Sequence, residues 1–361
     1  MYNPVAEINL TNLHENCLFI KSLIGKSKLF PVVKANAYGH GLENIAKFLG
    51  NKKIVDGFCV ATENEAIELN DYRIKKPIFI LGKTNLKNFN PKLYKYIIPT
   101  VHSMHDLKII KDICKHTDIR FQVKFDTGMG RLGICIEDIN KVILEVKGCR
   151  KHMVGCWSHF SSANESTQDY TNLQILKFNA ILEKFKLENF KFKYIHVANS
   201  SAIFQNSSSY YNLVRPGLSI YGICPLGGKT KSLKPVMRFK LPLIKKATKK
   251  KGENIGYNRT YKTREGETIG IFQGGYADGV STVLNNCGLM KINNQLFTIR
   301  GKVSMDLTAV DISNSDIKIN DYGIIWGKDE LLLENISKTH GKMPYEFLVN
   351  LSDRVERKYI V

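Results

Sequence analysis

Eight short apolar runs rich in β-branched residues recur along the first 222 residues, most of them followed by a segment of helical period, and few architectures accept that order. The runs are LFPVVK (29–34), GFCVA (57–61), PIFIL (77–81), YIIPTV (96–101), IRFQVKF (119–125), MVGCWSHF (153–160), KYIHVAN (193–199) and YNLVRPGLSIYG (211–222). Between them TENEAIEL opens with a T-x-x-E capping box from Thr62 to Glu65, and QDYTNLQILKFNAILEKF carries apolar residues at steps of three and four. Strand and helix alternating eight times over about 220 residues predicts a parallel (β/α)8 barrel of the TIM type. From about Leu233 the strands come at short spacing with turn residues between them, as in GENIGYNRTY, GGYADG and GKVSMD, which predicts a mainly β domain. The barrel is expected over residues 1–228 and the β-rich domain over 229–361, with the glycine-rich PLGGKT (225–230) between them.

Composition narrows the function classes. A net charge of +20 would ordinarily suggest nucleic acid or an anionic membrane, yet the lysines are scattered along the chain and no nucleic-acid motif accompanies them. The run KKATKKKGEN (245–254) reads as a solvated turn. Eight cysteines show no CxxC pair and no metal-ligand spacing, so the expectation is a reduced protein without a metal site. MYNPVAEINL lacks a basic stretch followed by an apolar one, and no run approaches the roughly 20 apolar residues of a membrane span. A soluble, cytoplasmic chain with no nucleic-acid or membrane partner is expected.

In a barrel of this kind the chemistry sits at the C-terminal ends of the strands. Lys34 ends the first run, Lys124 lies in the fifth and His159 in the sixth, Asn199 and Ser200 follow the seventh, and Arg215 lies in the eighth. A lysine flanked by Val32, Val33 and Ala35 loses part of its preference for charge by desolvation, from a reference pKa of about 10.4 toward the range where a neutral amine attacks a carbonyl. That is Schiff-base chemistry.

VVKANAYGHG (32–41) resembles the pyridoxal phosphate attachment motif of the alanine racemase family. Further segments resemble the family in order: AEINL near the start, VKFDTGMGRLG (123–133), SHFSSANE (158–165), HVANSSA (196–202), VRPGLSIYG (214–222), GYNRTY (256–261), GGYADG (274–279) and VSMDLTAVD (303–311). The resemblance implies an isomerase that interconverts L- and D-alanine with pyridoxal 5'-phosphate, providing D-alanine for peptidoglycan, and a homodimer with shared active sites. It implies that Lys34 holds the cofactor's aldehyde and serves one face of the substrate α-carbon while Tyr257 serves the other. Tyr38, Ser200 and the Gly217 backbone would hold the phosphate, with Asn199 and Tyr221 beside them. Arg215 would sit at the pyridine nitrogen, where a guanidinium keeps its proton and disfavours transamination. His159 and Arg215 would be the positive partners of Tyr257. Arg131 and Met305 would bind substrate, with Lys124, often carbamylated in this family, Tyr276 and Asp306 in support.

Two positions depart from the pattern. Ser304 stands where some relatives carry cysteine, and Asp353 where some carry a phosphate-binding tyrosine. Alternatives to alanine racemisation are a serine or broad-specificity racemase, a decarboxylase of the same barrel and cofactor, and a cofactor carrier. The decarboxylases place a carboxylate at the pyridine nitrogen, unlike Arg215, and a carrier has no need of a second base such as Tyr257.

Overall fold

The structure is a computed structural model describing residues 3–227 and 232–361. The chain forms two compact units, one of Asn16–Ala37 and Leu42–Ile220, the other of the N-terminal segment through Glu15, Tyr38–Gly41 and the chain from Tyr221 onward. The expected boundary at 228 and 229 lies outside the described residues, and the change of unit comes at Tyr221.

The first unit is the barrel. Its strands are Lys28–Leu29, Phe58–Val60, Ile78–Ile80, Ile97–Ile98 continued by Thr100–Val101, Phe121–Asp126, Met153–Trp157, Tyr194–His196 and Leu213–Val214. All pair in parallel: Leu29 with Val214, Val32 with Cys59, Phe58 with Ile78, Ile78 with Ile97, Val101 with Val123, Val123 with Cys156 and Cys156 with Ile195. The remaining seam, between the seventh and eighth strands, is closed by Arg215 N–H donating to Ala198 O at 3.0 Å and by Ile195 N–H donating to Asn212 Oδ1 at 2.8 Å. The ladders are shorter than the apolar runs: LFPVVK pairs over Lys28–Leu29 and at Val32 only, because Pro31 has no N–H to donate.

Strands covered on both faces read as continuous apolar runs, which is why the barrel was legible. Its interior also holds a polar layer. Gln122 donates to Thr100 Oγ1 at 3.0 Å and pairs with His196 Nε2 at 2.8 Å, all three buried and therefore in need of partners. The His196 ring stacks on Trp157 at 5.5 Å, and that indole lies at the mouth end of its strand.

The second unit is mainly β, with two short helices, Leu333–His340 and Pro344–Val349. Its first strand corrects the expected domain limits: Val5–Asn9 runs antiparallel to Met237–Thr248 and parallel to Glu356–Ile360, so the chain start belongs to the β unit. Eight strands already close the barrel, whereas VAEIN buries Val5, Ala6 and Ile8 between two partners in the larger sheet. Tyr38–Gly41 also packs with this unit. Gly39 O accepts from Arg357 Nε at 2.8 Å and His40 O from Tyr359 Oη at 3.0 Å. A Cβ at Gly39 (φ 76°) would stand 2.1 Å from Leu348 O, and one at Gly41 (φ 93°) 1.9 Å from Tyr359 Oη, which explains both glycines.

Candidate active site

Lys34 stands at the end of the first barrel strand and opens a backbone turn of the wrong hand. Ala35, Asn36, Ala37 and Tyr38 all have φ between 51° and 53°, a left-handed turn without one glycine. Each such residue costs roughly 1–2 kcal/mol, and the conformation persists only where its surroundings over-determine it. The Lys34 amine is half-buried, and its pKa lies below the ordinary lysine value. Burial is the main cause, Arg131 and Arg215 add to it, and Glu65 opposes them.

Four more groups join Lys34. Arg131 is carried on the loop after Phe121–Asp126, and Asp126 shapes that loop by accepting from Gly128 N at 2.9 Å, Met129 N at 2.8 Å and Arg131 N at 3.1 Å. Lys124 is 2% exposed, its Nζ 5.0 Å from the Trp157 ring. Burial first, then Arg131 and Arg215, lower its pKa to about 8. The folded protein therefore releases this proton near pH 8, while the unfolded chain holds it to about 10.4. The cost of burying the charge is complete below pH 8 and is relieved as the pH rises from 8 toward 10. In buffer free of carbon dioxide, Lys124→Met should stabilise the protein by up to about 3 kcal/mol at pH 7, with the gain shrinking between pH 8 and 10. Chemical denaturation across that range checks it, and a gain independent of pH would contradict it.

Arg215 is 2% exposed and remains a cation at neutral pH, although burial lowers its pKa to about 10. One Nη donates to Ser158 O at 2.8 Å and Val197 O at 3.0 Å, and the guanidinium lies 4.7 Å over Trp157. No carboxylate pairs with it among the described residues, and its buried Nε–H has no acceptor. Ser200 Oγ accepts from Gly217 N at 2.9 Å and from Ser219 N at 3.3 Å, which holds the residues after the seventh and eighth strands together. Asn199 is different: its side-chain oxygen caps the following helix through Ala202 N at 3.1 Å, a structural duty. His159 also corrects an expectation. Desolvation, then Arg215, Lys124, Arg131 and Lys34, hold it well below the usual imidazole range, so it is neutral and Arg215 alone of that pair is positive.

The other expected residues lie in the β unit. Tyr38 packs on Tyr221 with ring centroids 5.0 Å apart and on Tyr345 at 5.7 Å. Tyr276 N donates to Ser304 O at 3.0 Å and Ala277 N to Met305 O at 3.0 Å, which places GGYADG beside VSMD. Tyr257, Tyr276 and Met305 are 68%, 48% and 52% exposed, a large apolar display for functional side chains. Asp306 is tied to Arg354 at 2.7 Å, and Arg354 also reaches Asp278 at 3.2 Å. Asp353 is exposed, so it does not oppose a phosphate from a buried position. Trp157, Asp126 and Arg354 were not singled out from sequence; only Asp126 left a signal, as the acid opening DTGMGR.

Comparison with known proteins gives the family. A model of the alanine racemase N-terminal domain matches residues 8–225, and one of the C-terminal domain matches 236–359. The chain belongs to the alanine racemase family. Alanine racemase of Aquifex pyrophilus is 35% identical, with 100% of this chain and 99% of that protein covered. The solved alanine racemase of Streptomyces lavendulae superposes with a TM-score of 0.93 at 26% identity, covering 100% and 98% of the two chains. That of Bartonella henselae, solved with covalently bound pyridoxal phosphate, superposes with a TM-score of 0.88 at 27% identity over the whole of both chains.

For an alanine racemase the donor set fits pyridoxal phosphate. The unspent Nε–H of Arg215 is a buried donor aimed at no protein acceptor, which suits a ring nitrogen. Lys34 would supply the amine and the Ser200 hydroxyl a phosphate donor, while the Gly217 N–H already donates to Ser200 Oγ. Among the described residues no helix is long and apolar enough to cross a membrane.

Proposed function

We propose that this alanine racemase carries pyridoxal 5'-phosphate on Lys34 and interconverts L- and D-alanine with Lys34 and Tyr257 as bases on opposite faces of the α-carbon. When bound, the cofactor acidifies the α-C–H of the amino acid joined to it. The observation that carries the reading is Arg215, a buried cation with no carboxylate partner among the described residues and an Nε–H without an acceptor, directly after the eighth strand, which pairs with the strand that leads to Lys34. Because it stays protonated at neutral pH, Arg215 holds a ring nitrogen without giving it a proton, and the returning proton goes to the α-carbon.

Lys34 has its pKa lowered by burial, Arg131 and Arg215, which raises the share of neutral amine able to take a proton. Arg131 binds the substrate carboxylate, and neutral His159 accepts from Arg215 on one ring nitrogen and donates to Tyr257 of a second copy from the other. We infer that Lys124, whose amine becomes neutral near pH 8, takes up carbon dioxide as a carbamate that pairs with Arg131. Carbon dioxide should then abolish the stability gain of Lys124→Met.

The exposed Tyr257, Tyr276 and Met305 support a homodimer in which they reach the barrel of a second copy. All eight cysteines are free thiols, which suits the reducing cytoplasm and a role in supplying D-alanine for peptidoglycan. Borohydride reduction of the purified enzyme followed by peptide mapping tests the central assignment: the label should sit on Lys34, and a label on another lysine would overturn it.

A further inference from the structure

Glu65 has a second use beyond the helix it opens. As the third residue of Glu63–Asp71 it completes the capping box, with its N–H donating to Thr62 Oγ1 at 3.3 Å and its Oε2 accepting from Thr62 N at 3.0 Å and Ala61 N at 2.8 Å. A cap needs no more than that. Its other oxygen, Oε1, accepts from Ala35 N at 2.6 Å.

Ala35 follows Lys34 and is the first residue of the left-handed turn. Within the barrel unit Ala37 N also donates to Val33 O at 2.9 Å, and Leu42 N to Asn36 Oδ1 at 2.7 Å. The first closes the turn across Lys34 and the second holds its far side. The first N–H inside the turn, one peptide from the Lys34 Cα, is held by Glu65. The carboxylate thus joins the end of the first barrel strand to the start of the helix after the second, two elements whose separation sets where the Lys34 amine stands.

We propose that Glu65 is a positioning residue for Lys34, its carboxylate clamping the Ala35 N–H and so fixing the left-handed turn that presents the lysine to the site. The clamp needs an oxygen facing each N–H, which a carboxylate offers on both sides; glutamine would turn an NH2 donor against one of them. Its charge acts in the same place. Lys34 is faced by the cations Arg131, from the loop after Phe121–Asp126, and Arg215, from the eighth strand end, with neutral His159 nearby, and Glu65 is a carboxylate that counters the two cations at the amine. The inference rests on Lys34 being the lysine that carries the cofactor.

The test uses full-length protein stripped of cofactor, comparing wild type, Glu65→Gln and Thr62→Val. Thr62→Val removes the hydroxyl that caps Glu65 N and leaves the clamp on Ala35. Amide hydrogen exchange of the peptide spanning 33–38 should speed up about tenfold or more in Glu65→Gln and stay at the wild-type rate in Thr62→Val. The pH midpoint for labelling of Lys34 by pyridoxal phosphate and borohydride should move down in Glu65→Gln alone, since a charge favouring the ammonium is gone. In the reloaded enzyme kcat should fall about tenfold to a hundredfold in Glu65→Gln, with KM for alanine changed far less, as for a misplaced reacting group.

Equal behaviour of the two variants would reduce Glu65 to a helix cap and overturn the proposal, as would a Glu65→Gln protein with wild-type exchange and midpoint. If Glu65→Gln does not fold, Glu65→Asp takes its place. It keeps the charge but falls short of Ala35, so faster exchange in a folded protein supports the clamp and wild-type exchange refutes it. The exchange measurement reads the Ala35 contact without the cofactor, so labelling of a different lysine in wild type would refute the Lys34 assignment separately.

Discussion

Mixing inactive Lys34→Ala protein with inactive Tyr257→Ala protein should return racemase activity to about a quarter of wild type once subunits exchange at random. Neither parent can recover alone, because each lacks one of the two groups proposed to flank the α-carbon. In a mixed dimer with shared sites, one site combines the intact Lys34 of one chain with the intact Tyr257 of the other, and the second site lacks both. About half of the dimers are mixed and half of their sites are whole, which sets the recovery. The structural motive is the 68% exposure of Tyr257, with Tyr276 and Met305 nearly as open, where a proton-transfer group would be expected to work shielded from water. Exchange is verified by native mass spectrometry of chains of different mass. If mixed dimers form and no activity returns, the sites lie within single chains and the shared architecture is wrong.

Replacing Arg215 with glutamate should change the outcome of the reaction as well as its rate. A carboxylate buried at this position can share a proton with a ring nitrogen, whereas the guanidinium, with a pKa near 10 even when buried, cannot give one up at neutral pH. The protonated ring withdraws electrons more strongly, so protons begin to return to the cofactor carbon. Arg215→Glu should therefore release pyruvate from alanine and convert bound pyridoxal phosphate to pyridoxamine phosphate, with racemisation reduced roughly a hundredfold or more. Part of that loss is mechanical: the variant gives up the hydrogen bonds to Ser158 O and Val197 O and the contact with Trp157. Arg215→Met controls for this, since it loses the same bonds without adding a carboxylate. Pyruvate in equal amount from both variants would remove Arg215 from the ring nitrogen.

The barrel was readable because a strand buried on both faces leaves an unbroken apolar run, and several runs here carry a polar residue at or near the end where the sheet stops. Lys34, Lys124, His159 and Arg215 could be found that way, one strand at a time. The capping box at Thr62 was equally local, its two bonds spanning three residues. What Glu65 does with its other oxygen was not, since Ala35 lies 30 residues away and nothing in ANAY signals a left-handed turn. Those four residues are not glycine, and their conformation is imposed by contacts rather than by propensity.

The order of apolar runs, turns and motifs was enough to determine the eight-stranded barrel, the β-rich second unit and the family, since each depends on residues close together in the chain. Tertiary structure alone decided three things. Val5–Asn9 joined the β unit because its partners, Met237–Thr248 and Glu356–Ile360, come from the far end of the chain. His159 became neutral because burial strips it of water and Arg215, Lys124, Arg131 and Lys34, from three strand ends, add repulsion, and both effects depend on distances that sequence does not contain. Arg215 kept an unspent donor because the carbonyls of Ser158 and Val197, brought in by two other strands, use one Nη and leave the buried Nε without an acceptor.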